Sequence, residues 1–285
     1  MRFISYWVLP IISGLMWLAT LLALLLYWIV HENERMYSSM GSGQTIAYIS
    51  DVGADTLKPL FVAGCIITTI FLDSSFIADR LLRHRGRLVP NTSLSEKILS
   101  GLCIFFAFVG TIGLCFLSGF DTSRYHTLHD IFLLLFIAGY LLSAIFICWE
   151  YQRLGKKYRE HRILRISFWV KLTFVIIELL LAIVFIVANF QGLYDLAAIL
   201  EWVIAFVFSF YVFSFIIDLW PAMATRAGSR AASALAMEEA LPGTPGVLGQ
   251  PRTTHDSDRT LTSAAGHHPT NAKENKKTRR PYADF

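Results

Sequence analysis

Three polar stretches interrupt an otherwise apolar chain, and their residue types could do chemistry. In FDTSRYHTLHDIF, residues 120–132, His126 stands one helical turn before His129 and Asp130. All three would share a face if a helix starts early there. Two imidazoles and a carboxylate at that spacing can hold zinc. HxxHD alone is not a zinc motif, however, and the plainer expectation is a hydrogen-bonded cap that fixes helix ends, with no metal and no cofactor assigned. In AYISDVGADTLKPLF, residues 47–61, Asp51 and Asp55 accompany Gly53 and Pro59 between two long apolar runs. Ser50, Asp51, Asp55 and Thr56 are helix N-cap types, and Pro59 is tolerated in a first turn. Gly53 is expected to take a positive φ and turn the chain back. Asp195 and Glu201, the latter followed by Trp202, bracket the third stretch. If this group were catalytic, His129 would be a general base, with Asp51, Asp130 or Glu201 orienting it against a lipid alcohol or ester. No nucleophile motif such as GxSxG accompanies it.

The elements that must position these groups are membrane spans. The chain has 285 residues, 55% hydrophobic and 16% charged, with mean hydropathy +0.52. Its apolar residues come in runs of the length that crosses a ~30 Å hydrocarbon core. Six spans are predicted, at about 6–30, 59–79, 98–118, 130–150, 167–190 and 197–220. The first follows Arg2, but it is too long for a signal-peptide core. Tyr6, Trp7, Tyr27 and Trp28 at its ends suit the two headgroup layers, so it is expected to be retained. Cys65, Cys103, Cys115 and Cys148 all lie within spans and read as small packing residues, with Cys148 a palmitoylation candidate. The expected fold is all-α, a six-helix transmembrane bundle over residues 1–221, with a disordered charged tail over 222–285. That tail is rich in Ala, Gly, Ser and Thr and broken by Pro242, Pro245 and Pro251. A short helix at 223–240 is expected at most. No internal repeat is evident.

Lys and Arg concentrate in alternate loops. Arg80, Arg83, Arg85, Arg87 and Lys97 fall in the second, and Arg153, Lys156, Lys157, Arg159, Arg162 and Arg165 in the fourth. The other loops hold only Arg35, Lys58 and Arg124. Positive charge stays in the cytosol, so both termini are expected there. The sequon Asn91-Thr92-Ser93 then lies on the cytosolic side and reads as a chance match. Ser50, Asp51, Gly53, Asp121, His126, His129, Asp130, Glu201 and Trp202 gather on the outer side as one polar cluster.

Within the spans, Asp73, Lys171 and Glu178 are costly in hydrocarbon and are expected to face the bundle. At 1.5 Å per residue, Asp73 lies ~9 Å and Lys171 ~6 Å from the cytoplasmic side, with Glu178 ~17 Å deep. Asp73 and Lys171 are therefore expected to pair. On the inner surface Arg80, Arg83, Arg85, Arg87, Lys156, Lys157 and Arg159, with Lys276, Lys277, Arg279 and Arg280 of the tail, form a candidate anionic-lipid surface. The rival expectation is that these charges only set topology and solubility.

Taken together, Tyr48-Ile49-Ser50-Asp51-Val52-Gly53, Leu128-His129-Asp130 and Glu201-Trp202 resemble the outer motifs of the Frag/DRAM/Sfk family. That family includes the N-terminal membrane module of the fungal cell-wall protein CWH and a Golgi post-GPI-attachment factor. The resemblance covers residues 3–221, although Ile131 and Phe132 stand where members often carry small residues. It is strongest to the fungal suppressor-of-four-kinase branch. That branch implies six spans, cytosolic termini and a plasma-membrane regulator acting with phosphatidylinositol 4-kinase on lipid asymmetry and sterol retention. Its implied partners are membrane lipids, including phosphoinositides and sterol, and a lipid-kinase complex, with no nucleic acid. Other branches imply an autophagy modulator of the vacuole or lysosome, or a GPI-anchor lipid remodeller of the Golgi and ER. A non-enzymatic regulator or scaffold is the expected class. Broken-helix repeats that would suggest a transporter are missing.

Overall fold

A computed structural model describes residues 6–120, 124–159 and 162–222. Asp121, the suggested helix at 223–240 and the tail cations Lys276, Lys277, Arg279 and Arg280 lie outside the described residues. Among the described residues there are seven α-helices and no strand. α1 (Val8–Leu26) continues through one π-helical turn, Tyr27–His31. The others are α2 (Ile49–Ala54), α3 (Lys58–His84), α4 (Leu94–Gly119), α5 (His126–Lys157), α6 (Arg162–Phe190) and α7 (Tyr194–Leu219). All but the short α2 are long and apolar enough to cross a membrane.

The expected spans are all present, but several run further at their basic ends. α3 continues to His84, α5 to Lys157, and α6 starts at Arg162. A hydropathy boundary falls at the first charges, whereas backbone hydrogen bonding carries on through them. Local signals set the ends. Pro59 occupies the first turn of α3, and the Glu96 carboxylate accepts the Ser93 N–H at 3.1 Å to start α4. α3 and α6 close on left-handed glycines, Gly86 (φ +67°) and Gly192 (φ +69°). Behind them Arg87 N donates to Leu82 O, and Leu193 N to Ala188 O, both at 2.9 Å.

The six spans form a ring in the order α1, α3, α4, α5, α6, α7 and back to α1, with a smaller α3–α7 contact across it. α4 and α5 approach closest through small residues, so a Cβ on Gly139 would lie 2.6 Å from Gly110 Cα. The interior is aromatic: Phe208 meets Tyr140 at 5.4 Å, Phe136 at 6.2 Å and Trp17 at 6.4 Å between ring centres. All four cysteines are free. Cys148 is buried, which removes it as a palmitoylation candidate and leaves it as a packing residue.

Candidate functional site: a cap at one end, charges buried at the other

At the end of the ring opposite the basic loops, the segment after α1 folds back over the helices. Its last part, residues 45–49, is held by the first turns of α7. Asp195 accepts the backbone N–H of Thr45 at 2.6 Å and of Ile46 at 2.9 Å, and the Thr45 hydroxyl at 2.8 Å. Glu201 accepts the Ile49 N–H at 2.7 Å. Trp202 donates its indole N–H to Ala47 O at 3.0 Å. Asp51 reaches back to the Tyr48 N–H at 3.0 Å, the half of a capping box that starts α2, and takes the Ser39 hydroxyl at 2.5 Å. Tyr48 in turn donates to Asn189 Oδ1 of α6 at 3.2 Å. The carboxylates of this cluster are thus occupied by donors that α2 and its approach would otherwise leave unpaired. Burial pushes the Asp51 carboxyl above its ordinary range, and the hydrogen bonds from Ser39 and Tyr48 oppose that push.

Gly53 does not turn the chain as expected. It lies inside α2 without a positive φ, and it is small because a Cβ there would come within 2.6 Å of the Phe61 ring. α2 packs directly on the start of α3 through this contact. The cap residues of α2 also differ from the expectation for Ser50, Asp55 and Thr56: Tyr48 precedes α2 and Leu57 precedes α3. Asp55 instead forms an exposed ion pair with Arg35 at 3.5 Å.

α5 does begin at His126, yet the three HxxHD residues do not share one face. His126 and Asp130 pair at 3.0 Å on the exposed side. His129 turns inward, 3% exposed, with Nδ1 2.8 Å from Phe120 O. It is close enough to Asp51 for the two to interact electrostatically. The structure therefore brings Asp51, Glu201 and Trp202 to one short segment, with His129 beside them, and sends His126 and Asp130 elsewhere. Among the described residues no three His, Cys, Asp or Glu side chains are grouped to hold a metal ion.

The expected Asp73–Lys171 pair does not form. Lys171, fully buried, is bound to Asp218 of α7 at 2.5 Å and to the Ser167 hydroxyl at 2.9 Å, and Ser167 also donates to Asp218. Asp73 accepts the Thr111 hydroxyl of α4 at 2.8 Å, and Thr111 is joined to Tyr140 at 2.8 Å. The reason is ring order: α3 and α6 are not neighbours, so equal depth does not bring their side chains together. Glu178 lines the interior with one oxygen unpartnered.

A second buried network was missed because its acids sit near span ends. Arg83, predicted to face anionic lipid, is 3% exposed. It grips Asp79 at 2.7 and 3.2 Å, the Tyr151 hydroxyl at 2.9 Å and Val89 O at 3.2 Å. The Lys171 ammonium lies 5.2 Å from the Tyr151 ring centre and 4.3 Å from that of Phe215. Tyr151 thus joins both ion pairs across α3, α5, α6 and α7. The spacing of Asp79 and Arg83, one helical turn apart, was the available signal. Asn91 is also buried here, its amide donating to Glu150 at 2.5 Å. Of the other predicted lipid contacts, Arg87 donates to Ala222 O at 2.5 Å and Lys157 to Thr92, with Glu96 at 3.5 Å. Arg85, Lys156 and Arg159 are exposed and Arg80 is half-buried.

A ring of six long apolar helices that buries Lys171 and Arg83 against carboxylates and closes one end with a hydrogen-bonded cap defines an integral multi-pass membrane protein. Residues 5–222 match the Frag1/DRAM/Sfk1/Cwh43P N-terminal domain, and the chain belongs to that family. It is 29% identical over 216 residues to Protein sfk1 of Schizosaccharomyces pombe, a match covering 75% of this chain and 63% of the relative. It is 30% identical over 178 residues to Protein SFK1 of Saccharomyces cerevisiae, covering 53% and 50%. Both matches thus span less than two thirds of the relative's length. No solved structure matches the chain. The resemblance drawn from the three motifs is borne out at the level of the family and its fungal branch.

Proposed function

We propose that this protein is a non-enzymatic regulator or scaffold of lipid organisation at the plasma membrane, influencing lipid asymmetry and sterol retention alongside phosphatidylinositol 4-kinase. One observation carries the choice of a scaffold over an enzyme: Asp51 and Glu201 are engaged by backbone N–H groups of the cap, and His129 by a backbone carbonyl. A general base needs a lone pair aimed at a substrate proton; the cap bonds leave His129 Nε2 and further carboxylate lone pairs open, but Asp51 and His129 are each only 3% exposed, closed off under the segment they hold. The family membership and the Sfk1 relatives support the part that places a multi-pass protein at the plasma membrane. The exposed Arg85, Lys156 and Arg159 are the residues of the basic end best placed to meet anionic headgroups or a kinase complex. Deleting the gene should raise phosphatidylserine exposure and change inner-leaflet phosphatidylinositol 4-phosphate while leaving GPI-anchor lipids as they were. A change confined to the anchors would instead favour the lipid-remodelling alternative.

The proposal includes the orientation, with the basic end in the cytosol and the cap outside. A natural glycan at Asn91 is not a usable report on this, because that amide is buried against Glu150. A sequon engineered into the loop at 121–125, behind a short spacer, should be glycosylated in microsomes. An unmodified loop, with modification of a sequon added to the 158–162 loop, would reverse the orientation.

A further inference from the structure

Inside the ring, beneath the cap, is a cavity of about 100 Å³. Its ceiling is Ile49 and Glu201, and its walls are apolar and aromatic, including Phe136, Phe174 and Phe208. Two polar atoms on this lining have no partner: Glu178 Oε1, and the hydroxyl of Tyr211, a residue only 5% exposed. The two groups are near enough to interact electrostatically. No Lys, Arg or His lines the cavity.

We propose that this cavity is a binding site for the hydroxyl end of an uncharged lipid alcohol, whose long apolar body, too large for about 100 Å³, stays in the bilayer. A buried donor or acceptor without a partner is costly, and native interiors rarely keep two on one surface. A ligand hydroxyl can donate a hydrogen bond to Glu178 Oε1 or exchange one with the Tyr211 hydroxyl, so one group of the ligand satisfies atoms that the protein does not. A phosphate-bearing headgroup is excluded, since nothing in the lining could neutralise it. The first carbons beyond the hydroxyl lie against the rings and aliphatic side chains of the lining, and the rest of the chain lies outside the ring. α6 is the least embedded span, with 22% of its apolar window buried, and is the side on which the chain would leave the ring. Both sterols and diacylglycerols have this chemistry. The site rests on the proposed role in lipid organisation, but its test does not. Binding is measured on purified protein, so a deletion without lipid phenotype leaves the binding result standing, and the reverse.

The probe is 1-hexadecanol bearing a diazirine close to its hydroxyl, photolysed with the full chain in phosphatidylcholine nanodiscs, with labelled residues mapped by mass spectrometry. Labels should fall on cavity residues such as Phe136, Phe174 and Phe208. Ala205→Trp, which fills the cavity, should abolish them. The double variant Glu178→Leu, Tyr211→Phe should reduce them at least about fivefold, as loss of one or two buried hydrogen bonds would. The same double variant should be at least as heat-stable as the parent when no probe is present, because it removes the unpaired groups, and this separates lost binding from lost folding. Unlabelled cholesterol or dioleoylglycerol should compete, and the stronger competitor identifies the natural source. Labelling unchanged in both variants, labels confined to outward positions such as Ile176 and Ile183, competition by neither lipid, or displacement by oleylamine in preference to oleyl alcohol would each overturn the proposal.

Discussion

Changing Lys171 to Met while leaving Asp218 in place should destabilise the protein by about 3–5 kcal/mol, the usual result of stranding one charge of a buried pair. Asp218 would keep the Ser167 hydroxyl but lose its cation, in a site where it is 5% exposed and makes no other ion pair among the described residues. The ammonium also lies over the rings of Phe215 and Tyr151, so its removal loosens the α5–α6–α7 contact as well. The double change Lys171→Met, Asp218→Leu should recover most of the loss, because an apolar pair of similar volume satisfies the same space. Heating in mild detergent followed by size-exclusion chromatography reads both. Equal damage in single and double variants would mean that the pair is not what holds these helices. By contrast Asp73→Asn should act independently of Lys171, since its partner is Thr111.

Arg83→Met should be nearly as damaging, again about 3–5 kcal/mol, because Asp79, the Tyr151 hydroxyl and Val89 O all lose their donor at once. Asp79→Leu added to Arg83→Met should restore a large part of that loss. This outcome separates two roles for the basic end. If Arg83 were a lipid contact, its neutralisation would lower affinity for anionic vesicles and leave the melting temperature alone. Buried as it is, it should lower the melting temperature, and Arg85 or Lys156 should be the substitutions that alter vesicle binding without altering stability. A stable Arg83→Met protein would contradict the buried network.

Length and hydropathy were enough to read the six spans and the all-α class, because hydrocarbon permits few other ways to pair backbone groups. The three motifs were also legible as one group on one side. Their roles were not. That Glu201 would accept the Ile49 N–H, or that Asp195 would hold Thr45 and Ile46, depends on where the returning segment lies over α7, and no periodicity encodes that contact. Lys171 illustrates the same limit. Counting residues gives depth along a helix but not which helix stands beside it, so it points to Asp73 and passes over Asp218. Arg83 was misplaced because the hydropathy boundary at residue 79 put it in a loop, although the helix runs on to His84. Gly53 was assigned a turn where the structure uses it for clearance against Phe61.

The reading of the cap as a fastening and not a catalytic centre turns most directly on His129. In His129→Asn the shorter side chain keeps an amide N–H near the position of Nδ1, so it can still donate to Phe120 O, while the ring that could act as a base is gone. The variant would replace the natural protein at equal level, with its elution profile and melting temperature checked, and phosphatidylserine exposure and inner-leaflet phosphatidylinositol 4-phosphate would be measured in the same cells. Values indistinguishable from those of the parent are expected, and a well-folded variant that behaves like the deletion would contradict the structural role and make His129 a catalytic residue.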